Sequence, residues 1–217
     1  MKDFDAVIFD MDGVIFDSER AVMDCWLELA RKYGIKDIKK PYLACTGTTV
    51  AKTREIMIEA YGEDFPYESY AKEASQMYHA RYDGGRLPMK DGVVEILEFL
   101  KNNGKKISLA SSTRRQTVVN QLKDAGILGY FDEVITGDMV TKSKPDPEIY
   151  ILACEKTGVA PESSYAVEDS YNGIRSAHRG RLKPIMVPDL LPPDDEMLMM
   201  AETVCDSLTS VIEYLKS

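Results

Sequence analysis

Long apolar runs are missing from this chain of 217 residues. The longest, Ile149 to Cys154, spans six residues, against the ~18 that would suggest a membrane span. Basic charge is scarce, with 27 Lys and Arg against 36 Asp and Glu and a formal net charge of −9. Phosphate backbones select basic surfaces, so nucleic acid is not an expected partner. Cysteine is sparse as well: Cys25, Cys45, Cys154 and Cys205 form no CxxC pair. Thiols scattered in this way read as reduced groups of a cytoplasmic protein rather than as a disulfide framework. An apolar stretch near the start, Ala6 to Phe9, is broken by Asp10 and Asp12, so no signal peptide is expected. Repeats and low-complexity segments are also lacking.

What remains is ordinary globular composition, 44% apolar and 29% charged. At roughly 150 residues per domain, the length suits one large domain or one domain with an insertion. Short apolar runs alternate with amphipathic stretches. Ala6–Phe9 is apolar on both faces, as a buried parallel strand must be. Ile107–Ala110, Val134–Thr136, Tyr165–Val167 and Pro184–Val187 read as further strands. Between them the spacing is helical. Val93, Ile96, Leu97 and Leu100 fall at i, i+3, i+4 and i+7, and Val118, Leu122 and Ala125 repeat the pattern until Gly126. Asp146 and Pro147 read as the cap and first turn of a helix burying Ile149, Leu152 and Ala153. Leu208, Val211, Ile212 and Leu215 make a last helix after Ser207. Strand and helix in alternation imply an α/β fold with a Rossmann-like parallel sheet and right-handed crossovers.

One region departs from this alternation. From Asp17 to Pro88 the chain reads as successive helices: Val22, Cys25, Trp26, Leu29, Ala30 and Tyr33 form a stripe stopped by Gly34, and 50–61 and 68–82 follow. The expected organisation is therefore an α-helical insertion, 17–88, in a discontinuous α/β core, 1–16 and 89–217; both pieces have plausible domain sizes. Asp83 to Pro88 would be one crossing between them, since Gly and Pro mark turns.

Four polar features follow predicted strands, at the sheet edge where open parallel sheets carry their sites. Asp10-Met11-Asp12-Gly13 places two carboxylates at i, i+2 on a turn, able to converge on one cation and one substrate. A calcium loop also begins D-x-D, but needs Gly at its sixth position and Glu at its twelfth. Here those positions hold Ile15 and Ala21. Ser111-Ser112-Thr113 ends a strand at a helix start, where hydroxyls and backbone N–H groups suit a phosphate oxygen or serve as a plain cap. Lys144 precedes a helix, as a site residue or a solvated charge. Glu168-Asp169 closes a buried strand, and burying carboxylates without partners is expensive.

In order and spacing these four features resemble the motifs of the haloacid dehalogenase (HAD) superfamily, across essentially the whole chain. Asp10-x-Asp12-Gly13-Val14 with Asp17-Ser18 matches the first motif, Ser111 the second, Lys144-Pro145 the third and Glu168-Asp169 the fourth. The insertion is similar to the small helical cap of the β-phosphoglucomutase-like subfamily. The resemblance implies an aspartyl-phosphate enzyme, with Asp10 as nucleophile and Asp12 as general acid and then base. It implies Mg²⁺ held by Asp10, the Asp12 carbonyl and Asp169, with Glu168 as a further ligand or an orienter of metal waters. Ser111, Ser112 and Lys144 would bind phosphoryl oxygens. Mg²⁺ and Lys144 would offset the carboxylates and the phosphate, which could not share a site unpaired.

Thr46, Gly47, Thr48 and Thr49 resemble the cap specificity loop. Mutases carry an arginine where this chain has Val50 and a histidine where it has Val22, and Asp17-Ser18-Glu19 is closer to the phosphatases. Lys52, Arg54, His79 and Arg81 are alternative grips for a second phosphate, or surface charges. The expectation is a monomeric Mg²⁺-dependent phosphatase of a small phosphorylated metabolite, of the sugar phosphate class, with a β-phosphoglucomutase-type mutase as the alternative. A receiver domain would carry its acidic pair after the first strand, whereas here the pair comes last. A binding protein without turnover would not need every motif residue. His178 and the run Met197–Met200 read as structural, the run as an apolar helix face.

Overall fold

The computed structural model describes residues 2–46, 48 and 50–217. The chain divides into two compact units, residues 1–17 with 88–217, and residues 18–87. The first is an α/β unit. Its strands are β1 (Ala6–Phe9), β2 (Lys106–Ser111), β3 (Glu133–Thr136), β4 (Ser164–Glu168), β5 (Lys183–Met186) and β6 (Thr203–Val204). They form one parallel sheet in the order β3-β2-β1-β4-β5-β6. This is the Rossmann-like α/β core expected from the sequence. The order reverses at β1, whose neighbours are β2 and β4, and a crevice opens beyond the C-terminal ends of such strands.

The helices of the sequence come in chain order. Those of the second unit are α1 (Ser18–Tyr33), α2 (Lys39–Cys45), α3 (Val50–Tyr61) and α4 (Tyr67–Tyr82). Those of the α/β unit are α5 (Val93–Asn102), α6 (Arg115–Asp124), α7 (Glu148–Thr157), α8 (Tyr171–Arg179), α9 (Asp195–Met200) and α10 (Leu208–Lys216). Every residue of β1 is buried, which is why it has no polar alternation. Ile8, Ala110 and Ala166, from three adjacent strands, cluster with Ile149, Tyr150 and Ala153 of α7. α5 buries Val93, Ile96, Leu97 and Leu100, the stripe the spacing predicts. Ser207 caps α10 by accepting from Ser210 N. The four cysteines are free thiols, and no helix among the described residues is long and apolar enough to cross a membrane.

The helical unit is organised around aromatic rings. Trp26 lies 5.1 to 6.4 Å, between centroids, from Tyr42, Tyr67 and Tyr70. The Tyr70 hydroxyl donates to the Trp26 carbonyl at 2.6 Å, so its polar end is satisfied in the interior. Tyr33, expected on the buried stripe of α1, is instead 53% exposed.

Pro147 already has helical backbone angles ahead of α7, and the Asp146 carboxylate accepts from the Glu148 N–H at 3.1 Å, the i to i+2 bond of a cap, as expected. Other expectations are corrected. Leu152 is only partly buried, while Tyr150 takes a fully buried place. The run Met197–Met200 is not a uniform apolar face. Met197 is buried, but Leu198 and Met199 are 57% and 79% exposed, because three successive residues of a helix cannot share one face. No hydrophobic periodicity marks α2 or β6 in the sequence.

Candidate active site

Strand register assembles the site. β1 and β4 pair with Phe9 opposite Val167, so the next residues, Asp10 and Glu168, arrive side by side. The Asp10 N–H donates to the Val167 carbonyl at 2.9 Å and prolongs the ladder by one bond. On the other side Phe9 pairs with Leu109, which brings the Ala110 carbonyl alongside. Carboxylate oxygens of Asp10, Glu168 and Asp169 come within 4.8 Å of one another, all from buried residues.

Lys144 sits among them. Its Nζ donates to Asp10 Oδ1 at 2.5 Å, Glu168 Oε1 at 2.6 Å and the Ala110 carbonyl at 2.9 Å. An ammonium has three protons, so all three are committed within the chain. Glu168 is equally engaged. Its Oε1 also accepts from the Tyr150 hydroxyl at 2.8 Å, and its Oε2 accepts from Ser170 Oγ at 3.1 Å. Two glycines permit this crowding. A Cβ on Gly173 would lie 1.9 to 2.0 Å from the Glu168 carboxyl atoms. A Cβ on Gly13, whose φ is +79°, would lie 2.2 Å from Asp169 Oδ2. The glycine of the D-x-D-G turn is therefore where the aspartate that follows β4 comes in.

The electrostatics follow from burial. Desolvation pushes the Asp10 carboxyl up to about 8; Lys144 pulls against that shift, while Glu168 and Asp12 add to it. Burial alone would weaken the Lys144 ammonium, but the carboxylates of Asp10 and Glu168 more than offset this and hold its pKa above the ordinary value. The Tyr150 phenol is raised by burial and then by Glu168. A buried trio of carboxylates with one ammonium is short of positive charge. Oxygen donors in such a group suit a hard divalent cation.

Ser111 is buried at the end of β2, and its Oγ accepts from the Thr113 N–H at 3.1 Å. Ser112 is exposed. Neither is a helix cap. α6 begins at Arg115, with Arg114 at the cap position, and Asp138 Oδ1 accepts from the Arg115 N–H. The Asp12 side chain stands outside the acidic trio, and its Oδ2 accepts from Thr113 Oγ1 at 2.9 Å. Thus Asp10, Lys144, Glu168 and Asp169 converge, with Ser111 and Asp12 at the same sheet edge.

In the helical unit, Thr46 follows α2, and its Oγ1 is buried without a hydrogen-bond partner among the described residues. Thr48 Oγ1 donates to the Cys45 carbonyl at 2.8 Å. Gly47 and Thr49 lie outside the described residues. The four candidate cations are engaged on the surface: Lys52 with Glu55, Arg54 with Glu68, His79 with Asp83 and Arg81 with Glu28. His178 is exposed, its Nδ1 3.3 Å from the Met200 carbonyl. Sequence reasoning missed Tyr150 and Thr113. An aromatic in a helical stripe looks like core, and a third hydroxyl in a row looks like a cap.

Residues 7–187 match the family model of haloacid dehalogenase-like hydrolases. The phosphorylated carbohydrates phosphatase of Thermotoga maritima is 33% identical over 181 residues, 83% of either chain. The validoxylamine A 7′-phosphate phosphatase of Streptomyces hygroscopicus subsp. limoneus is 27% identical over 208 residues, 96% of either chain. Among solved structures, β-phosphoglucomutase from Clostridium difficile superposes with a TM-score of 0.74 at 25% identity, over 98% of this chain and 96% of that one. The order of motifs, the sheet and these relatives agree: the chain belongs to the haloacid dehalogenase-like hydrolase family and is a phosphomonoester hydrolase.

Proposed function

We propose that the protein is a Mg²⁺-dependent phosphatase of a small phosphorylated carbohydrate, working through an aspartyl-phosphate. The observation that carries this reading is Asp10, buried at the end of β1 and held by Lys144 beside Glu168 and Asp169. The Asp10 carboxylate attacks phosphorus, and the bridging P–O bond breaks with its electron pair going to the alcohol oxygen, which takes a proton from Asp12. Asp12 then removes a proton from water as that water attacks phosphorus. The phosphorus–Asp10 bond breaks, returning the carboxylate and releasing inorganic phosphate. Splitting the transfer in this way replaces one difficult step by two easier ones.

Asp10 and Asp169, with the Asp12 carbonyl, would hold the metal. Glu168, whose oxygens already accept from Lys144, Tyr150 and Ser170, fits the role of orienter better than that of ligand. When bound, a divalent cation would supply the missing positive charge and polarise the transferring group. Ser111 and the Ser112 N–H would donate to phosphoryl oxygens. Lys144 would turn one proton from its present acceptor to do the same. The helical insertion is proposed as the substrate-selecting cap. The carbohydrate assignment draws on relatives named for phosphorylated sugars and polyols.

The test is a panel of sugar phosphates scored for both free phosphate and isomerised product. Free phosphate should appear with Mg²⁺ and stop with a chelator, and Asp10→Asn should be inactive with its thermal transition intact. Turnover without metal, or by that variant, would overturn the site assignment. The likeness to a β-phosphoglucomutase keeps a mutase as the second reading. Isomerised product from β-glucose 1-phosphate, with a bisphosphate primer, arriving faster than free phosphate would establish it instead.

A further inference from the structure

Asp12 shares a turn with Asp10 but not its surroundings. Its Oδ2 accepts from Thr113 Oγ1 at 2.9 Å, a partner 101 residues away in sequence. Thr113 is itself fixed on both sides of its backbone. Its N–H donates to Ser111 Oγ at 3.1 Å, and its carbonyl accepts from Gly137 N at 3.1 Å. Gly137 approaches so closely that a Cβ there would lie 2.2 Å from the Ser112 carbonyl oxygen. Strand pairing of Ser111 with Thr136 sets up that approach. Thr113 does not cap α6, which begins two residues later. Its β-branch further limits the hydroxyl's rotation. The clamped backbone and the aimed donor therefore serve Asp12 rather than a helix.

We propose that Thr113 is a positioning residue that decides which oxygen of Asp12 handles the proton. This rests on the reading of Asp12 as general acid and base. A hydrogen bond donated to Oδ2 makes that oxygen an acceptor, so in the acid form the proton resides on Oδ1. As the bridging P–O bond breaks, the electron pair goes to the ester oxygen and the Oδ1 proton joins it, leaving Asp12 as carboxylate. Without the Thr113 hydroxyl, Oδ2 loses the donor that keeps it an acceptor, and the proton can then reside on either oxygen. The cost falls on substrates whose leaving group needs the proton. A leaving group that departs as a stabilised anion needs it far less.

The experiment compares kcat/KM, which reports transfer to Asp10, for 4-nitrophenyl, phenyl and benzyl phosphate. Thr113→Val keeps the shape and removes the hydroxyl; Thr113→Ala does so without a β-branch. Both should lose about tenfold on benzyl phosphate, the scale of one hydrogen bond to a charged group, and less than about twofold on the nitrophenyl ester. Thr113→Ser should recover most of the benzyl activity. Equal loss on all three esters, or no loss on benzyl phosphate, would overturn the inference while leaving the phosphatase reading standing. Wild-type protein that leaves all three esters intact would sink both.

Discussion

The ion pairs of the helical unit and the buried charge cluster of the α/β unit are held in opposite ways, although the α/β unit has exposed pairs too, such as Arg181 with Glu162. In the helical unit the ion pairs are solvated: the side chains of Arg54 and Glu68 are 50% and 72% exposed, and those of Arg81 and Glu28 41% and 44%. In the α/β unit the side chains of Lys144, Asp10 and Glu168 are 7%, 10% and 1% exposed. Water and salt screen the first kind and make each pair worth little. The second kind has no water to fall back on, so each charge depends on every partner. The helical unit takes its cohesion from rings around Trp26 instead. The difference teaches that salt-bridge geometry alone does not mark a site; over-determined burial does.

The largest expected effect comes from breaking the buried group at its centre. Lys144→Met removes the donor shared by Asp10, Glu168 and the Ala110 carbonyl. Leaving buried carboxylates without that partner should cost about 3–5 kcal/mol, read from urea unfolding, and abolish turnover. A midpoint within error of wild type would mean that the group is far wetter than its burial implies.

Gly173→Ala comes next. Gly173 lies in the first turn of α8, where helix propensity alone says alanine should stabilise by ~1 kcal/mol. The close approach to the Glu168 carboxyl says otherwise. Overpacking of this kind costs about 1–3 kcal/mol, so the net change should be a loss of stability. A gain would show that Glu168 moves away freely, and the contrast between rigid and loose charge would collapse.

Much of this arrangement was legible in the sequence, for a physical reason. A strand buried on both faces must be apolar throughout, so the carboxylates ending Ala6–Phe9 and Tyr165–Val167 stood out. What stayed hidden needed contacts distant in sequence. Tyr150 is an ordinary core aromatic until β4 places Glu168 over its hydroxyl. Thr113 meets Asp12 only through the register of β1, β2 and β3. α2 escaped because, within Lys39–Cys45, only Tyr42 is buried, so no stripe exists to read. β6 is two residues long and half-buried, too short to show alternation.

The smallest expected effect tests the other side of the comparison. Arg54 Nε lies 2.7 Å from Glu68 Oε1, good geometry between exposed side chains. Its neighbour Glu68 is held below the usual carboxylate range by that hydrogen bond. Because both groups stay hydrated, Arg54→Ala should leave the urea midpoint within error and insensitive to added salt. The same variant addresses the competing reading of Arg54 as a grip for a second phosphate. Under that reading, KM for a bisphosphorylated sugar should rise severalfold while KM for its monophosphate stays put. Under the surface reading, both stay put. A selective rise would assign Arg54 a substrate role and show that an exposed ion pair here does more than hold two helices in register.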